Sequence, residues 1–285
     1  MTSGWKIGSA TVTPVIELEW PVKPHWLIPG ATAENLAPYA DWLKPTYVTE
    51  DDRLRLTIQA FLVESRGQKI IIDTCIGNGK TRGVEAFNQL DTDFVGSITD
   101  ASFPPEKVDL VICTHLHVDH VGWNTKLVGG AWVPTFPNAR YVMARTDYDH
   151  WSTQTDEDMG REVFADSVQP IFEHGLADLV EMDHEINPEL GFLPTPGHTP
   201  GHCSVTISSD GEEAVVTGDC IHHPSQCMHP EWGCTADLDP ERANVTRRAF
   251  LERTADSGVL VIGTHFAAPT AAHITAAGER WTLVR

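Results

Sequence analysis

The chain alternates short apolar runs with longer segments in which apolar residues recur at helical spacing. Alternating apolar and polar positions predict a strand up to about residue 20. Two further predicted strands, Leu54–Glu64 and Gln68–Asp73, are joined by a turn at Ser65-Arg66-Gly67. Helical periodicity predicts helices near 82–90, 145–155, 160–175 and 240–256. Buried strands are predicted for the apolar runs at 108–113, 140–144, 203–208, 213–218 and 259–263. Strands that alternate with helices in this way predict a layered α/β architecture.

One segment departs from this alternation. Residues 20–47 are rich in Trp, Pro and Tyr, and they predict an irregular arm at about 20–50. The arm has two interpretations: it packs on the body or on a second subunit, which we favour, or it covers an active site with apolar residues such as Trp26 and Leu27. Because the chain has no repeat and no long Gly/Ser linker, we predict a single domain over 1–285.

His and Asp residues, which are types that can bind metal ions, follow the apolar runs. The first run ends in an H-x-H-x-D-H cluster, which contains His115, His117, Asp119 and His120. Three further runs end, each after a Gly or Thr, in His198, Asp219 and His265. Imidazole and carboxylate donors at this density are typical of sites for zinc-like divalent ions, and strand ends are where such sites are built. Four runs that all end in metal-binding residues predict a metal site.

These residues also carry a family resemblance. Over about residues 55 to 270 the chain resembles a metallo-β-lactamase-fold hydrolase, which implies an α/β fold of the four-layer αββα type with two divalent metal ions. Zinc is the metal favoured by the resemblance, and manganese, iron and cobalt fit the same ligands. The resemblance assigns His115, His117 and His198 to the first ion, Asp119, His120 and His265 to the second, and Asp219 to both. It also places Asp73 next to the ligands, where a carboxylate orients the ligand loop; an alternative is that Asp73 only caps a strand-end turn.

The implied chemistry is metal-dependent hydrolysis. Two divalent ions can share a hydroxide, because together they lower the pKa of water toward neutrality. This hydroxide opens an ester or lactone without a serine nucleophile, and the chain has no G-x-S-x-G motif. Within the family, His117 stands where the oxygen-reducing relatives have Glu, which favours hydrolysis. Asp219 stands where true β-lactamases of some classes use Cys, which argues against membership of those classes.

Other departures from the patterns of individual family branches narrow the class of substrate. After His265 the chain offers only Arg280 and Arg285, which argues against a glyoxalase-II-type thioesterase. Many quorum-quenching lactonases place Tyr three residues after the bridging Asp, whereas this chain has His222 there. The run 218–226 is more similar to the methyl-parathion-hydrolase-like branch, which suggests promiscuity toward phosphotriesters. The alternatives are a thioesterase or an arylsulfatase-like hydrolase of the same fold and, more remotely, a non-catalytic metal-binding protein.

Four residues are candidates for roles beside metal binding. We take Asp119 and His222 as catalytic, since an imidazole at 222 can donate a hydrogen bond to the substrate carbonyl or leaving group. Trp123 and Phe266 follow ligand segments and are candidates for an apolar pocket wall. Both are equally compatible with a place in the core.

Composition limits the partners. A formal net charge of −20 repels phosphate backbones and anionic headgroups, so we expect a small-molecule substrate and no nucleic-acid or membrane partner. No apolar run approaches the roughly 20 residues of a membrane span, and the start lacks a secretory signal pattern, which predicts a cytoplasmic protein. The six scattered cysteines predict free thiols, with Cys113 and Cys203 in the core. The aromatic arm favours a homodimer.

Overall fold

The computed structural model describes residues 4–154 and 158–284. They divide into two compact units. The first comprises the residues up to Leu18 together with Ile58–His184, and the second comprises Glu19–Thr57 together with the residues from Glu185 onward. The arm predicted at about 20–50 falls in the first segment of the second unit. The single domain over 1–285 stays a prediction.

A seven-stranded sheet has the order β1-β2-β3-β4-β5-β8-β9, and a separate two-stranded sheet is formed by β6 and β7. The strands are β1 (Trp5–Ile7), β2 (Ala10–Val22), β3 (Leu54–Ser65), β4 (Gln68–Ile72), β5 (Leu110–Ile112), β6 (Thr125–Val128), β7 (Ala131–Pro134), β8 (Arg140–Ala144) and β9 (Ala177–Val180). The predicted hairpin is confirmed: β3 and β4 pair antiparallel across a two-residue turn in which Arg66 and Gly67 both have positive φ. Strands β4, β5 and β8 run parallel, with Ile72 beside Ile112 and Ile112 beside Val142. Residues that follow β4 and β5 therefore lie at the same edge of this sheet.

A second seven-stranded sheet has the order β10-β11-β12-β13-β14-β15-β16. Its strands are β10 (Glu185–Asn187), β11 (Leu190–Pro194), β12 (Cys203–Ser209), β13 (Glu212–Val216), β14 (Leu260–Ile262), β15 (Ala271–Ala277) and β16 (Arg280–Val284). Strands β13 and β14 are parallel neighbours, with Val216 beside Ile262. Asp219 and His265 each follow these paired residues by three positions, so the sheet places them at one edge.

The helices are mostly short. They are α1 (Pro24–Leu27), α2 (Ala33–Leu36), α3 (Ala40–Leu43), α4 (Phe94–Asp100), α5 (Arg145–Trp151), α6 (Asp158–Val163), α7 (Gln169–Glu173), α8 (Ser225–Met228) and α9 (Pro240–Thr254), and a π-helical turn over Phe164–Val168 joins α6 to α7. Asp239 caps the N-terminus of α9, since its side chain accepts a hydrogen bond from the Arg242 amide. None of the helices among the described residues is long and apolar enough to cross a membrane.

Three of the four predicted helical segments are confirmed over the residues that the structure describes, which leave out Thr155 at the end of the segment near 145–155, and the one near 82–90 is wrong. It contains only a 3-10 turn at Glu85–Phe87. The Asn88 side chain accepts a hydrogen bond from the Arg82 amide, and Gln89 has a φ of 51°. Both features compete with a continuous helix, because an Asn side chain offers the backbone an alternative partner and a left-handed residue ends helical geometry.

The segment predicted as irregular, 20–47, forms the short helices α1 to α3 and a 3-10 turn at Ala37–Tyr39. Its apolar side chains form one buried cluster with the start of β3, which includes Ile28, Leu36, Leu43, Tyr47 and Leu54. This burial orders the arm within the second unit, although no helix in it exceeds four residues.

The expectation of free thiols is confirmed, because all six cysteines are buried and none forms a disulfide. Cys113 and Cys203 are at most 1% exposed, as predicted for core residues. Cys220 belongs to a buried apolar cluster with Phe250, Leu251 and Phe266. Burial raises the pKa of the Cys113 and Cys220 thiols to about 12, so these thiols stay protonated and unreactive at neutral pH.

Gly122 packs directly against backbone atoms. A Cβ at this position would lie 1.7 Å from the carbonyl oxygen of Ile76 and 2.0 Å from its carbon. We therefore expect Gly122→Ala to lower the free energy of unfolding by about 3 kcal/mol, because backbone atoms cannot move aside cheaply. Chemical denaturation measures this. A matched Gly83→Ala substitution, with no atom within 4 Å of the added Cβ, should change little. Equal stability of the two variants would contradict the packing argument.

Lys80 is fully buried in the first unit. Its ammonium lies 3.8 Å from the Trp132 ring, 2.9 Å from the Thr125 hydroxyl and 3.3 Å from Asp166, which Arg82 also binds through two nitrogens. Burial lowers the pKa of Lys80 from 10.5 to about 8, despite the opposing charge of Asp166. Between these pH values the unfolded chain holds one more proton than the folded chain. The free energy of unfolding should therefore rise with pH from 8 to 10.5, by about 3 kcal/mol at most.

Urea denaturation across that pH range, compared with Lys80→Met, isolates this contribution because other titrating groups are common to both proteins. The variant should lack the rise. An identical pH dependence in both proteins would contradict the expectation.

Candidate metal centre

In the first unit the H-x-H-x-D-H cluster follows β5 directly. His115 and His120 are buried, and His117 and Asp119 are partly exposed. The ring centres of His115 and His120 are 4.1 Å apart, and those of His115 and His117 are 4.7 Å apart. The Leu116 amide donates to buried Asp147, which fixes the backbone between the two histidines. The structure thus brings all four predicted ligands of this cluster together within the unit.

Asp73 orients this cluster from the end of β4. It is fully buried and has a φ of 57°. One carboxylate oxygen accepts the Thr114 amide at 2.8 Å, and the other accepts the Thr114 hydroxyl and His120 Nδ1, each at 2.8 Å. A proton held on Nδ1 by Asp73 leaves the lone pair of His120 on Nε2, where a metal ion can be bound. The resemblance predicted this kind of contact for Asp73.

In the second unit three imidazoles converge on Asp219. Its Oδ2 lies 3.2 Å from His198 Nε2 and 3.1 Å from His222 Nε2, and its Oδ1 lies 3.0 Å from His265 Nε2. All four side chains are buried. Oδ2 of Asp219 therefore faces two imidazoles, those of His198 and His222, and Oδ1 faces the imidazole of His265.

The Nδ1 atoms of two predicted ligands, His198 and His265, face oxygen atoms. His198 Nδ1 is 2.9 Å from Asp237 Oδ1, and His265 Nδ1 is 2.9 Å from the Thr57 carbonyl oxygen. A carbonyl oxygen can only accept, so His265 Nδ1 carries the proton and Nε2 keeps the lone pair. This is the arrangement that metal-ligating histidines adopt, and the donor sets of both units therefore fit divalent metal ions.

Asp237 was missed by the sequence argument. Burial opposes its ionisation, but the hydrogen bond and charge of His198, with a further contribution from Arg247, hold its pKa at about 2. Burial likewise lowers the pKa of His198, but Asp219 and Asp237 outweigh burial and raise it to about 9. The carboxylates around His198 thus favour positive charge at this position, whether a proton or a metal ion supplies it. No local pattern marks Asp237, because it lies 39 residues beyond its partner.

Two further histidines of the second unit, His202 and His223, hold loops close to the predicted ligands. His202 Nε2 accepts the backbone N–H of Asp219 at 2.7 Å, and its Nδ1 contacts Thr195. This bond fixes the turn that presents the Asp219 carboxylate. His223 lies between Ser225 and the Tyr47 carbonyl oxygen, and burial lowers its pKa to about 4, which keeps it neutral.

The two candidate pocket aromatics are both buried. Trp123 donates its indole N–H to Glu17 at 2.6 Å and stacks on Phe94. Phe266 is 1% exposed and meets Tyr47 edge to face. These contacts are those of core residues, which was the alternative interpretation, and a role in a pocket wall stays a prediction.

Residues 54–265 match the model of the metallo-β-lactamase superfamily. The chain belongs to this superfamily. The dizinc quorum-quenching lactonase AidC, solved in complex with a product, superimposes with a TM-score of 0.81 at 21% identity, covering 99% of this chain and 96% of AidC. The hydrolase AbOPH superimposes with a TM-score of 0.80 at 23% identity, covering 99% of this chain and 97% of AbOPH. The predicted α/β class and αββα fold are therefore confirmed.

Curated relatives match over a shorter stretch. An N-acyl homoserine lactonase from Bacillus sp is 25% identical over 181 residues, which is 59% of this chain. The match spans about 65% of the length of that relative. Membership of the superfamily thus rests on most of the chain, whereas this likeness to lactonases rests on part of it.

Proposed function

We propose that this protein is a dinuclear metal-dependent hydrolase that opens ester bonds, with lactones as its substrate class. The observation that carries the proposal is the convergence of three buried imidazoles on the two oxygens of Asp219. A carboxylate that faces donors on both oxygens suits a ligand shared by two ions. In this proposal His115, His117 and His198 hold one ion, Asp119, His120 and His265 hold the other, and Asp219 serves both.

The surrounding residues set the chemistry of the ligands. When bound, two divalent ions, with zinc as the favoured metal, supply Lewis acidity and make hydroxide available near neutral pH. Asp73 and Asp237 face Nδ1 of His120 and His198, so that both rings direct Nε2 toward the ions. Asp119, whose side chain is 14% exposed, takes up the proton of the attacking water and returns it to the leaving oxygen.

The substrate class follows from the relatives and from charge. Several curated relatives are N-acyl homoserine lactonases, and their substrates are small cyclic esters. The strongly acidic composition favours a small substrate over an anionic polymer. A homodimer and a cytoplasmic location remain predictions from the sequence.

The test combines metal analysis with a substrate panel on one preparation. Purified protein is assayed against a lactone, a thioester, a sulfate ester and a phosphotriester, before and after metal removal by a chelator. We expect lactone turnover to be fastest, to vanish with the metal and to return when two zinc ions per chain are restored. Activity that survives complete metal removal would refute the proposal. Faster turnover of the thioester or sulfate ester would shift the substrate class.

His222 is proposed to donate a hydrogen bond to the substrate carbonyl or leaving group. Its position is fixed by its backbone N–H, which donates to the Gln226 side chain at 2.8 Å. We expect His222→Phe to lower kcat by about 100-fold while zinc content stays near normal. His273→Phe, at an exposed position of β15, serves as the matched control. Unchanged kinetics in His222→Phe would remove this residue from the mechanism.

A further inference from the structure

A buried cysteine lies beside the His198 group. One ring nitrogen of His198, one of His222 and the sulfur of Cys234 all lie within 4.8 Å of one another, and all three side chains are buried. Among the described residues, Cys234 is the one cysteine that belongs to such a group of three donors. Its sequence gives no hint of this, because it is isolated from the other ligands along the chain.

The loop around Cys234 presents the sulfur in a fixed way. The Cys234 amide donates to Asp237 Oδ2 at 2.8 Å, and the Ala236 amide points at the sulfur at 3.4 Å. The other oxygen of Asp237 contacts His198 Nδ1, so one carboxylate positions both the Cys234 backbone and the His198 ring. Burial and the negative charge of Asp237 raise the pKa of the Cys234 thiol well above its usual range, so a metal ion that binds the sulfur has to displace the thiol proton.

His222 supplies a second observation. Its Nε2 faces Asp219, while its Nδ1 is buried without a hydrogen-bond partner among the residues that the structure describes. A buried imidazole nitrogen with no protein partner is costly unless another group satisfies it. The ring is 98% buried, since its exposed fraction is 2%, so the group that satisfies it must lie inside the protein.

We propose that His198, His222 and Cys234 form a binding site for a thiophilic metal ion such as cadmium, distinct from the two positions of the hydrolytic centre. Two imidazoles and a thiolate are a ligand set that zinc accepts and that softer ions favour, with solvent in the fourth position. Binding forms a metal–sulfur bond, and the thiol proton leaves to the solvent.

This site competes with the hydrolytic centre for one ligand. Because His198 Nδ1 is held by Asp237, the thiophilic ion takes Nε2, which the hydrolytic centre also requires. An imidazole nitrogen binds one ion at a time, so the two occupancies exclude each other. This consequence rests on the proposed function, whereas binding of the ion itself does not. Occupation of the site inhibits hydrolysis by removing a ligand from the first ion.

Binding is tested by titrating cadmium chloride into metal-free protein and recording the ultraviolet charge-transfer absorption of a cadmium–thiolate bond as a difference spectrum. The oxygen and nitrogen ligands of the hydrolytic centre give no such band. We expect the band in the wild type, its loss in Cys234→Ala, and its retention in Cys227→Ala, a matched variant at a buried cysteine outside the group. Absence of the band in the wild type, or its survival in Cys234→Ala, would overturn the proposal. Should Cys234→Ala fail to fold, Cys234→Ser provides the same comparison.

Competition is tested separately on the zinc-loaded enzyme. We expect cadmium to inhibit lactone hydrolysis at least tenfold more weakly in Cys234→Ala than in the wild type, with zinc-supported activity equal in both. Equal inhibition of the two proteins by cadmium would overturn the inference that the two sites compete for His198. Because the absorption band requires no turnover, an inactive protein that still shows it would refute the hydrolase and leave the cadmium site standing.

Discussion

Replacing Asp219 with asparagine is expected to lower kcat/KM for lactone hydrolysis by about 1,000-fold, which corresponds to about 4 kcal/mol of transition-state stabilisation. Asparagine keeps the shape of the side chain but removes the negative charge that faces three imidazole nitrogens at 3.0–3.2 Å. Without that charge, both oxygen positions bind cations more weakly. Metal content after dialysis should fall together with activity, which elemental analysis measures.

The matched control is Asp210→Asn, which makes the same chemical change on an exposed turn of the second unit. It should leave kcat/KM and metal content unchanged. An Asp219→Asn protein with full metal content and activity within tenfold of the wild type would show that this carboxylate does not hold the ions.

Asp73→Asn is expected to weaken metal binding by about 10- to 100-fold. Asp73 accepts three hydrogen bonds, from the Thr114 amide, the Thr114 hydroxyl and His120 Nδ1. An amide offers one oxygen and one NH₂ group, so at least one donor would face another donor. If His120 responds by moving its proton to Nε2, the ring loses the lone pair that binds the ion. Zinc affinity, measured by competition with a chromophoric chelator, tests this.

Backbone strain cannot account for such a loss, because asparagine tolerates the positive φ of 57° at this position as readily as aspartate does. Asp52→Asn is the matched control, since Asp52 has a φ of 62° and its carboxylate forms an ion pair with Lys44 at the surface. We expect zinc affinity in Asp52→Asn to equal that of the wild type. Equal affinity in Asp73→Asn as well would show that Asp73 only caps the turn after β4.

Local patterns in the sequence were sufficient to predict the strands that lead to the candidate metal ligands. The β3–β4 hairpin was predicted because alternating burial and a turn that requires positive φ are both encoded in neighbouring residues. The prediction of a helix near 82–90 was wrong because two local features of this segment oppose a helix. Its apolar spacing was compatible with a helix, but the side chain of Asn88 and the left-handed Gln89 outweighed a weak propensity.

The candidate metal ligands could be predicted from the sequence, because residue type and the apolar runs before His115, His198, Asp219 and His265 are local properties. What holds these side chains in place could not be predicted, because it depends on contacts between segments that are far apart in the chain. The Thr57 carbonyl oxygen that faces His265 lies 208 residues away, and Asp237 lies 39 residues from His198. The place of His222 and Cys234 beside His198 was decided in the same way. Such contacts depend on how distant segments pack, and no periodicity or spacing along the chain records them.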